Sequence, residues 1–149
     1  MTIDRVKELY EDYLYDMSIA SDRGSLRGAF GRMIFGGGQD SCHIRFADRM
    51  EKTLAGFDFE REDAGELMDY ILCKGVEYRR DPSKALMMTA MQRFLVPFAE
   101  NISPEKAAAV LQWYDSAFEK RDMTLVMVDF RKALKKRAGN SCRKYPVDM

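Results

Sequence analysis

The chain has 149 residues, of which 46% are hydrophobic and 32% are charged, and its 24 basic and 24 acidic side chains leave a formal net charge of zero. This length is typical of one domain, and the composition is that of a globular protein and excludes an intrinsically disordered one. No apolar run approaches the roughly 18 residues that span a membrane, and the charged start MTIDRVKELYEDY does not predict a signal peptide.

Apolar residues recur at three-and-four spacing along the first half of the chain, which predicts amphipathic helices. The predicted helices cover residues 3–20, 22–35 and about 40–56. Gly36, Gly37 and Gly38 separate the second from the third, because three residues without a Cβ atom favour neither helix nor strand. We therefore interpret these glycines as a hinge between two helices that both carry arginines.

The second half of the chain continues the helical pattern, with predicted helices over 59–80, 82–98, 104–118 and 122–139. Asp81-Pro82 separates the first two of these, and Pro97 either kinks or ends the second. Ser103-Pro104 is the strongest helix start in the chain, since it combines a capping hydroxyl with proline at the first helical position.

One segment also fits a strand. TLVMVDF at 124–130 is rich in β-branched residues, but helix signals lie on both sides and no second strand is available for pairing, so we predict a helix there. The pattern as a whole predicts an all-α fold, a single compact bundle of six or seven helices with short connections. We expect one domain over 1–149, with a basic C-terminal tail from about residue 138.

The segment IFGGGQDSCH at 34–43 suggests a phosphate-binding loop or a metal site, but its residues fit neither kind of site. The glycines are not followed by the lysine and Ser/Thr of a phosphate-binding loop. Cys42 and His43 are neighbours, so on a helix they point about 100° apart and rarely bind one ion together. We therefore expect no metal and no cofactor. The three cysteines, odd in number and widely spaced, predict reduced thiols and a cytoplasmic protein.

Enzymatic activity has weak support in the sequence. His43 is the one histidine and the natural general base near neutral pH, but no oriented nucleophile can be identified beside it. A cluster of acidic residues is typical of the first turn of a helix, where it complements the helix dipole; its members are Glu60, Glu62, Asp63 and Glu66. We expect a protein that is not an enzyme.

Basic helix faces make nucleic acid the alternative partner. The chain carries 10 basic and 15 acidic residues over 1–75, against 14 and 9 over 76–149. Clusters of this kind neutralise phosphates; the candidates are Arg45, Arg49 and Lys52 on the third predicted helix and Lys132, Lys135, Lys136 and Arg137 near the C-terminus. The isoelectric point of about 6.6 favours an ordinary solvated surface instead.

A protein partner is the leading prediction. The eleven methionines suit irregular cores and adaptable binding surfaces. The single tryptophan, Trp113, lies at the border of the apolar, inward-facing side of its predicted helix. Aromatic anchors dominate binding energy at interfaces. We predict contacts with another protein, or with a second copy of this chain, through Trp113, Tyr114, Met87 and Met88. The predicted function is that of a non-enzymatic adaptor, small subunit of an assembly, or inhibitor.

Overall fold

The computed structural model describes residues 1–21 and 39–142. Within these ranges it contains seven α-helices and no strand, so the prediction of an all-α bundle is confirmed. The helices are α1 (Thr2–Ser21), α2 (Gln39–Ala55), α3 (Ala64–Glu77), α4 (Ala85–Ala90), α5 (Val96–Glu100), α6 (Pro104–Ala117) and α7 (Leu125–Cys142). Short 3-10 helices cover Met91–Leu95 and Lys120–Asp122.

Three predictions concern parts of the chain outside the described residues. The predicted helix over 22–35, the hinge at Gly36, Gly37 and Gly38 and the end of the basic tail lie outside the described residues. The contacts divide the chain into two compact units, Met1–Glu62 and Asp63–Met149. A single domain over 1–149 stays a prediction.

In the described part of the first unit, α1 and α2 pack against each other through an aromatic cluster. Tyr13 stacks on Phe46 with ring centroids 4.5 Å apart, and Tyr10 meets the same ring edge-on at 5.0 Å. Each such pair adds about 0.5–1.5 kcal/mol to the effect of burial alone. The start of α1 is tied down as well, because the backbone N–H and the hydroxyl of Thr2 donate to the Glu62 carboxylate at 2.7 and 2.8 Å.

In the second unit, side-chain caps fix where the long helices begin. The Asp63 carboxylate accepts a hydrogen bond from the Glu66 N–H at the start of α3, and the Ser103 hydroxyl accepts one from the Lys106 N–H at the start of α6. These caps satisfy N–H groups that the first turn of a helix leaves unpaired. The strong start predicted at Ser103-Pro104 is therefore confirmed.

The core of the second unit is built from the apolar residues of α3, α4, α5, α6 and α7 and from the 3-10 helix over Met91–Leu95. Several of its members are methionines, which fill the space between helices of unequal length. The core side chains include Leu67, Met68, Ile71, Leu72, Met88, Met91, Leu95, Phe98, Tyr114, Met127, Phe130 and Leu134.

Two helix boundaries differ from the sequence prediction for local reasons. The helix predicted over 59–80 begins at Ala64, because the Asp58 carboxylate accepts the Glu60 N–H and offers this backbone a turn in place of a helix. The helix predicted over 82–98 is divided into α4, a 3-10 helix and α5. Pro97 lies in the first turn of α5, where its missing N–H costs nothing, so the helical path breaks before it and resumes.

A buried polar pair crosses this core. The Tyr114 hydroxyl donates to the Gln92 side-chain oxygen at 2.5 Å, and both residues have no exposed surface. Burial raises the pKa of Tyr114, which keeps the hydroxyl a donor. The Gln92 amide nitrogen is also buried and has no hydrogen-bond partner among the described residues. The pair is thus only partly satisfied.

Removing the Tyr114 hydroxyl should therefore destabilise the protein, and removing both partners should not add to the loss. We expect Tyr114→Phe to lower the free energy of unfolding by about 1–3 kcal/mol, since it orphans the Gln92 oxygen as well. Adding Gln92→Leu should restore part of that stability. Urea denaturation of the three proteins measures both effects. A double variant clearly less stable than Tyr114→Phe would contradict this account.

Candidate functional site

A cavity of about 630 Å³ lies in the second unit, where the ends of several helices meet. Its volume lies within the range of about 300–1,000 Å³ that is usual for binding pockets. The residues after α3, the start of α4, the end of α6 and the segment leading into α7 form its wall. The lining residues are Arg79, Arg80, Ala85, Leu86, Thr89, Ser116, Ala117, Phe118, Glu119, Arg121, Asp122, Thr124 and Met127. We call it the Leu86 cavity.

Leu86 is the most unusual member of this wall, because 71% of its surface is exposed. On the six-residue helix α4, Met88 and Thr89 turn into the core, which leaves Leu86 outside. The wall also contains the largely buried side chains of Phe118 and Met127. An exposed leucine beside an apolar floor offers area that an apolar group of a ligand would remove from water.

The rim of the cavity carries unequal charges. Arg121 pairs with Glu119 at 2.7 Å, whereas Arg79 donates to the Val76 carbonyl at the end of α3. Neither Arg79 nor Arg80 pairs with a carboxylate in the part of the chain that the structure describes. These two guanidinium groups are therefore available to an acidic ligand.

The carboxylates near Arg79 and Arg80 do not neutralise the charge of these two arginines. Asp81 accepts hydrogen bonds from the backbone and hydroxyl of Ser83 and pairs with Lys84 at 3.1 Å. These contacts, those from Ser83 first, lower the pKa of Asp81, so the carboxylate stays ionised and engaged. Asp122 also lines the wall. The wall thus holds three arginines against two carboxylates.

The structure separates the four residues predicted to contact a partner. Tyr114 and Met88 are completely buried and serve the core, while Met87 is half-buried and Trp113 is 37% exposed. The difference follows from helix geometry, since adjacent residues point about 100° apart and only one of each pair can face inward. Tyr114 and Met88 therefore have no exposed surface to offer a partner.

Trp113 lines a second, smaller groove of about 310 Å³ between α3 and α6. The groove wall also contains Cys73, Ala109 and Val110, and an ion pair of 2.7 Å joins Lys106 to Asp69 there. The Trp113 ring meets Phe118 edge-on, with centroids 6.4 Å apart. Because Phe118 lines the Leu86 cavity, the Trp113 ring of the groove contacts a side chain of the cavity wall.

The basic residues predicted to bind nucleic acid are partly occupied by partners within the protein. Arg45 pairs with Asp16 at 3.4 Å, Lys52 pairs with Asp48 at 3.0 Å, and Arg137 donates to the Ile102 carbonyl at 2.7 Å. Four candidates are exposed and form no ion pair with another described residue; they are Arg49 on α2 and Lys132, Lys135 and Lys136 on α7.

Cys42 and His43 take part in the core of the first unit. The Tyr13 hydroxyl lies 2.8 Å from His43 Nδ1, which suits a neutral imidazole accepting the hydroxyl proton. Burial lowers the pKa of His43 and raises the pKa of the Cys42 thiol. A protonated, buried thiol is a poor nucleophile. Within residues 1–21 and 39–142, no three His, Cys, Asp or Glu side chains come together in a metal-binding arrangement.

Sequence reasoning missed Leu86, Arg79 and Arg80. One signal for Leu86 was available: it precedes the apolar stripe that begins at Met87 and lies about 100° away from it. The two arginines are the last residues of the helix predicted over 59–80 and look like a solvated helix end in the sequence. Arg79 and Arg80 line a cavity only because the chain after α6 folds back and forms the other part of the cavity wall.

Comparisons with known protein families, curated proteins and solved structures found no match to this chain. None of the described helices is both long enough and apolar enough to cross a membrane.

The burial of His43 makes stability depend on pH in a defined direction. Folding lowers the pKa of His43 from its ordinary value of 6.5, so the unfolded chain binds a proton more readily. The contribution of His43 is therefore present above pH 6.5 and is lost as the pH falls through the lower, folded-state pKa.

We expect the stability difference between the wild-type protein and a His43→Gln variant to change between about pH 7.5 and pH 5, with the wild type losing more as the pH falls. Denaturant unfolding at each pH measures the difference. Tyr13→Phe, which keeps the ring stack and removes the hydroxyl, is the matched control and should retain the titration. A pH-independent difference for His43→Gln would contradict this explanation.

Proposed function

We propose that this protein is a non-enzymatic interaction protein that binds another protein through the Leu86 cavity, as an adaptor, a small subunit of an assembly or an inhibitor. The single observation that supports this proposal most is the 71% exposure of Leu86 on the wall of a 630 Å³ cavity with an apolar floor. Burying one leucine side chain contributes about 1.5–3 kcal/mol. A partner that covers Leu86 gains most of that amount.

Trp113 extends the proposed contact. Its ring touches Phe118, which lines the cavity, so one partner segment can reach the cavity and the Trp113 groove together. Tryptophan at the edge of an apolar groove is a frequent source of binding energy at protein interfaces. We place the interaction in the cytoplasm, because Cys42 and Cys73 are free thiols.

Binding of nucleic acid is the alternative proposal, carried by Lys132, Lys135 and Lys136 on the outward side of α7. Phosphate neutralisation makes such binding salt-sensitive, so a gel shift observed near 50 mM salt should weaken steeply by about 200 mM. Replacing the three lysines with glutamine should weaken it further, whereas Lys120→Gln should change little. No shift at the lower salt, or an affinity indifferent to salt, would exclude this alternative.

The Leu86 proposal is tested by comparing the host proteins that the wild type and matched variants capture from the native host. We expect Leu86→Ser to weaken capture of a specific partner about tenfold, as loss of roughly 1.5 kcal/mol implies. Trp113→Ala should weaken capture of the same partner. Ile44→Ser is the control, since Ile44 is also 71% exposed but belongs to the first unit.

Quantitative mass spectrometry of the captured proteins gives the readout, with circular dichroism to verify that each variant is folded. Equal capture by the wild type and Leu86→Ser would contradict the proposal, as would an equal loss with Ile44→Ser. A change of molar mass in light scattering of Leu86→Ser alone would show that the cavity binds a second copy of this chain, and would overturn the choice of another protein as the occupant.

A further inference from the structure

We infer, resting on the proposed function, that the partner segment which enters the Leu86 cavity is acidic: an apolar side chain packs against Leu86 and Phe118 while neighbouring carboxylates pair with Arg79 and Arg80. The inference concerns the chemistry of the partner and not only the existence of one. It depends on three properties of the wall, which are its unpaired guanidinium groups, its apolar floor and the start of a helix.

The first property is a local excess of positive charge. Of the three arginines on the wall, Arg121 is already paired with Glu119. Arg79 and Arg80 are exposed and pair with no carboxylate of the described residues, and the nearby Lys84 is held by Asp81. A guanidinium group binds a carboxylate through two parallel hydrogen bonds, which fixes orientation as well as charge. An acidic segment therefore supplies what this rim lacks.

The second property excludes a ligand that is only an anion. Ala85, Leu86, Ala117, Phe118 and Met127 contribute apolar surface to the same wall. A phosphate group or a nucleic-acid backbone would pair with the arginines and leave Leu86 in water. A peptide that alternates acidic and large apolar residues satisfies both parts of the wall at once, which is why a protein segment fits better than a nucleic acid.

The third property is the start of α7. Thr124, which precedes this helix, lines the cavity, and its hydroxyl accepts a hydrogen bond from the Met127 N–H. The N-terminal end of a helix carries a partial positive charge, which adds to that of the arginines and favours a carboxylate nearby. The rim is thus positive after α3, while before α7 the partial charge of the helix end acts against the carboxylates of Asp122 and of Glu119, the latter paired with Arg121.

A random peptide library displayed on phage and selected against the whole protein tests the inference. We expect the retained peptides to be enriched in Asp and Glu next to Leu, Phe or Met, and to lose binding to Leu86→Ser. In fluorescence anisotropy with a synthetic copy of the best peptide, Arg79→Gln together with Arg80→Gln should weaken binding about tenfold. Arg61→Gln together with Arg93→Gln removes the same charge from two residues that do not line the cavity, and should leave the affinity within about twofold.

The outcomes separate the two proposals. Retained peptides that need Leu86 but lack acidic residues, or that bind the Arg79→Gln/Arg80→Gln variant equally well, overturn this inference and leave the docking function intact. If no retained peptide depends on Leu86, both fail. An oligouridylate that binds more tightly than every selected peptide, and loses that binding in the same double variant, overturns the inference in favour of nucleic acid.

Discussion

The burial of Phe118 is the constraint on which the second unit depends. This residue ends α6, where its N–H donates to the Tyr114 carbonyl and its backbone turns to an extended conformation. Its ring packs 4.8 Å from the Tyr114 ring, and Gly75 of α3 lies close enough that a Cβ there would be 3.6 Å from the Phe118 ring. The Phe118 side chain therefore lies close to α3 and α6, lines the cavity and contacts the Trp113 ring.

This arrangement explains why the candidate site lies where helices end. Backbone turns after α3 and α6 return charged residues to the surface at the same place, while the apolar ends of the same helices stay beneath them. Arg79 takes part both in the helix end and in the cavity wall, since it donates to the Val76 carbonyl in the last turn of α3 and lines the cavity. The proposed interaction surface thus follows from the positions at which these helices end.

Much of the fold could be predicted from the sequence, because helical periodicity and capping are local properties. Residues 124–130 show this well: their β-branched side chains favour a strand, yet α7 begins at Leu125, since its inward positions carry the apolar residues that the bundle needs. The division of the helix predicted over 82–98 was harder to foresee, because it depends on where the core accepts a 3-10 helix.

The candidate site was less accessible to sequence reasoning. The partial exposure of Trp113 agrees with its predicted place at the border of the inward helix face, whereas Tyr114, selected together with it, belongs to that inward face. Leu86 was missed because the exposure of a residue on a six-residue helix depends on which neighbours cover it. The pairing of charges is also a tertiary property, so Arg79 and Arg80, which pair with no carboxylate among the described residues, could not be distinguished from other surface charges.

The methionine-rich core also has a consequence for redox chemistry. Met88, Met91 and Met127 are almost completely buried, and Met127 forms part of the cavity floor. Oxidants convert exposed thioethers to polar sulfoxides first, so these sulfurs become reactive only when the core opens. A sulfoxide at Met127 would place a polar group in the apolar floor of the cavity. Oxidation during an opening of the core would therefore change the surface that the proposed partner contacts.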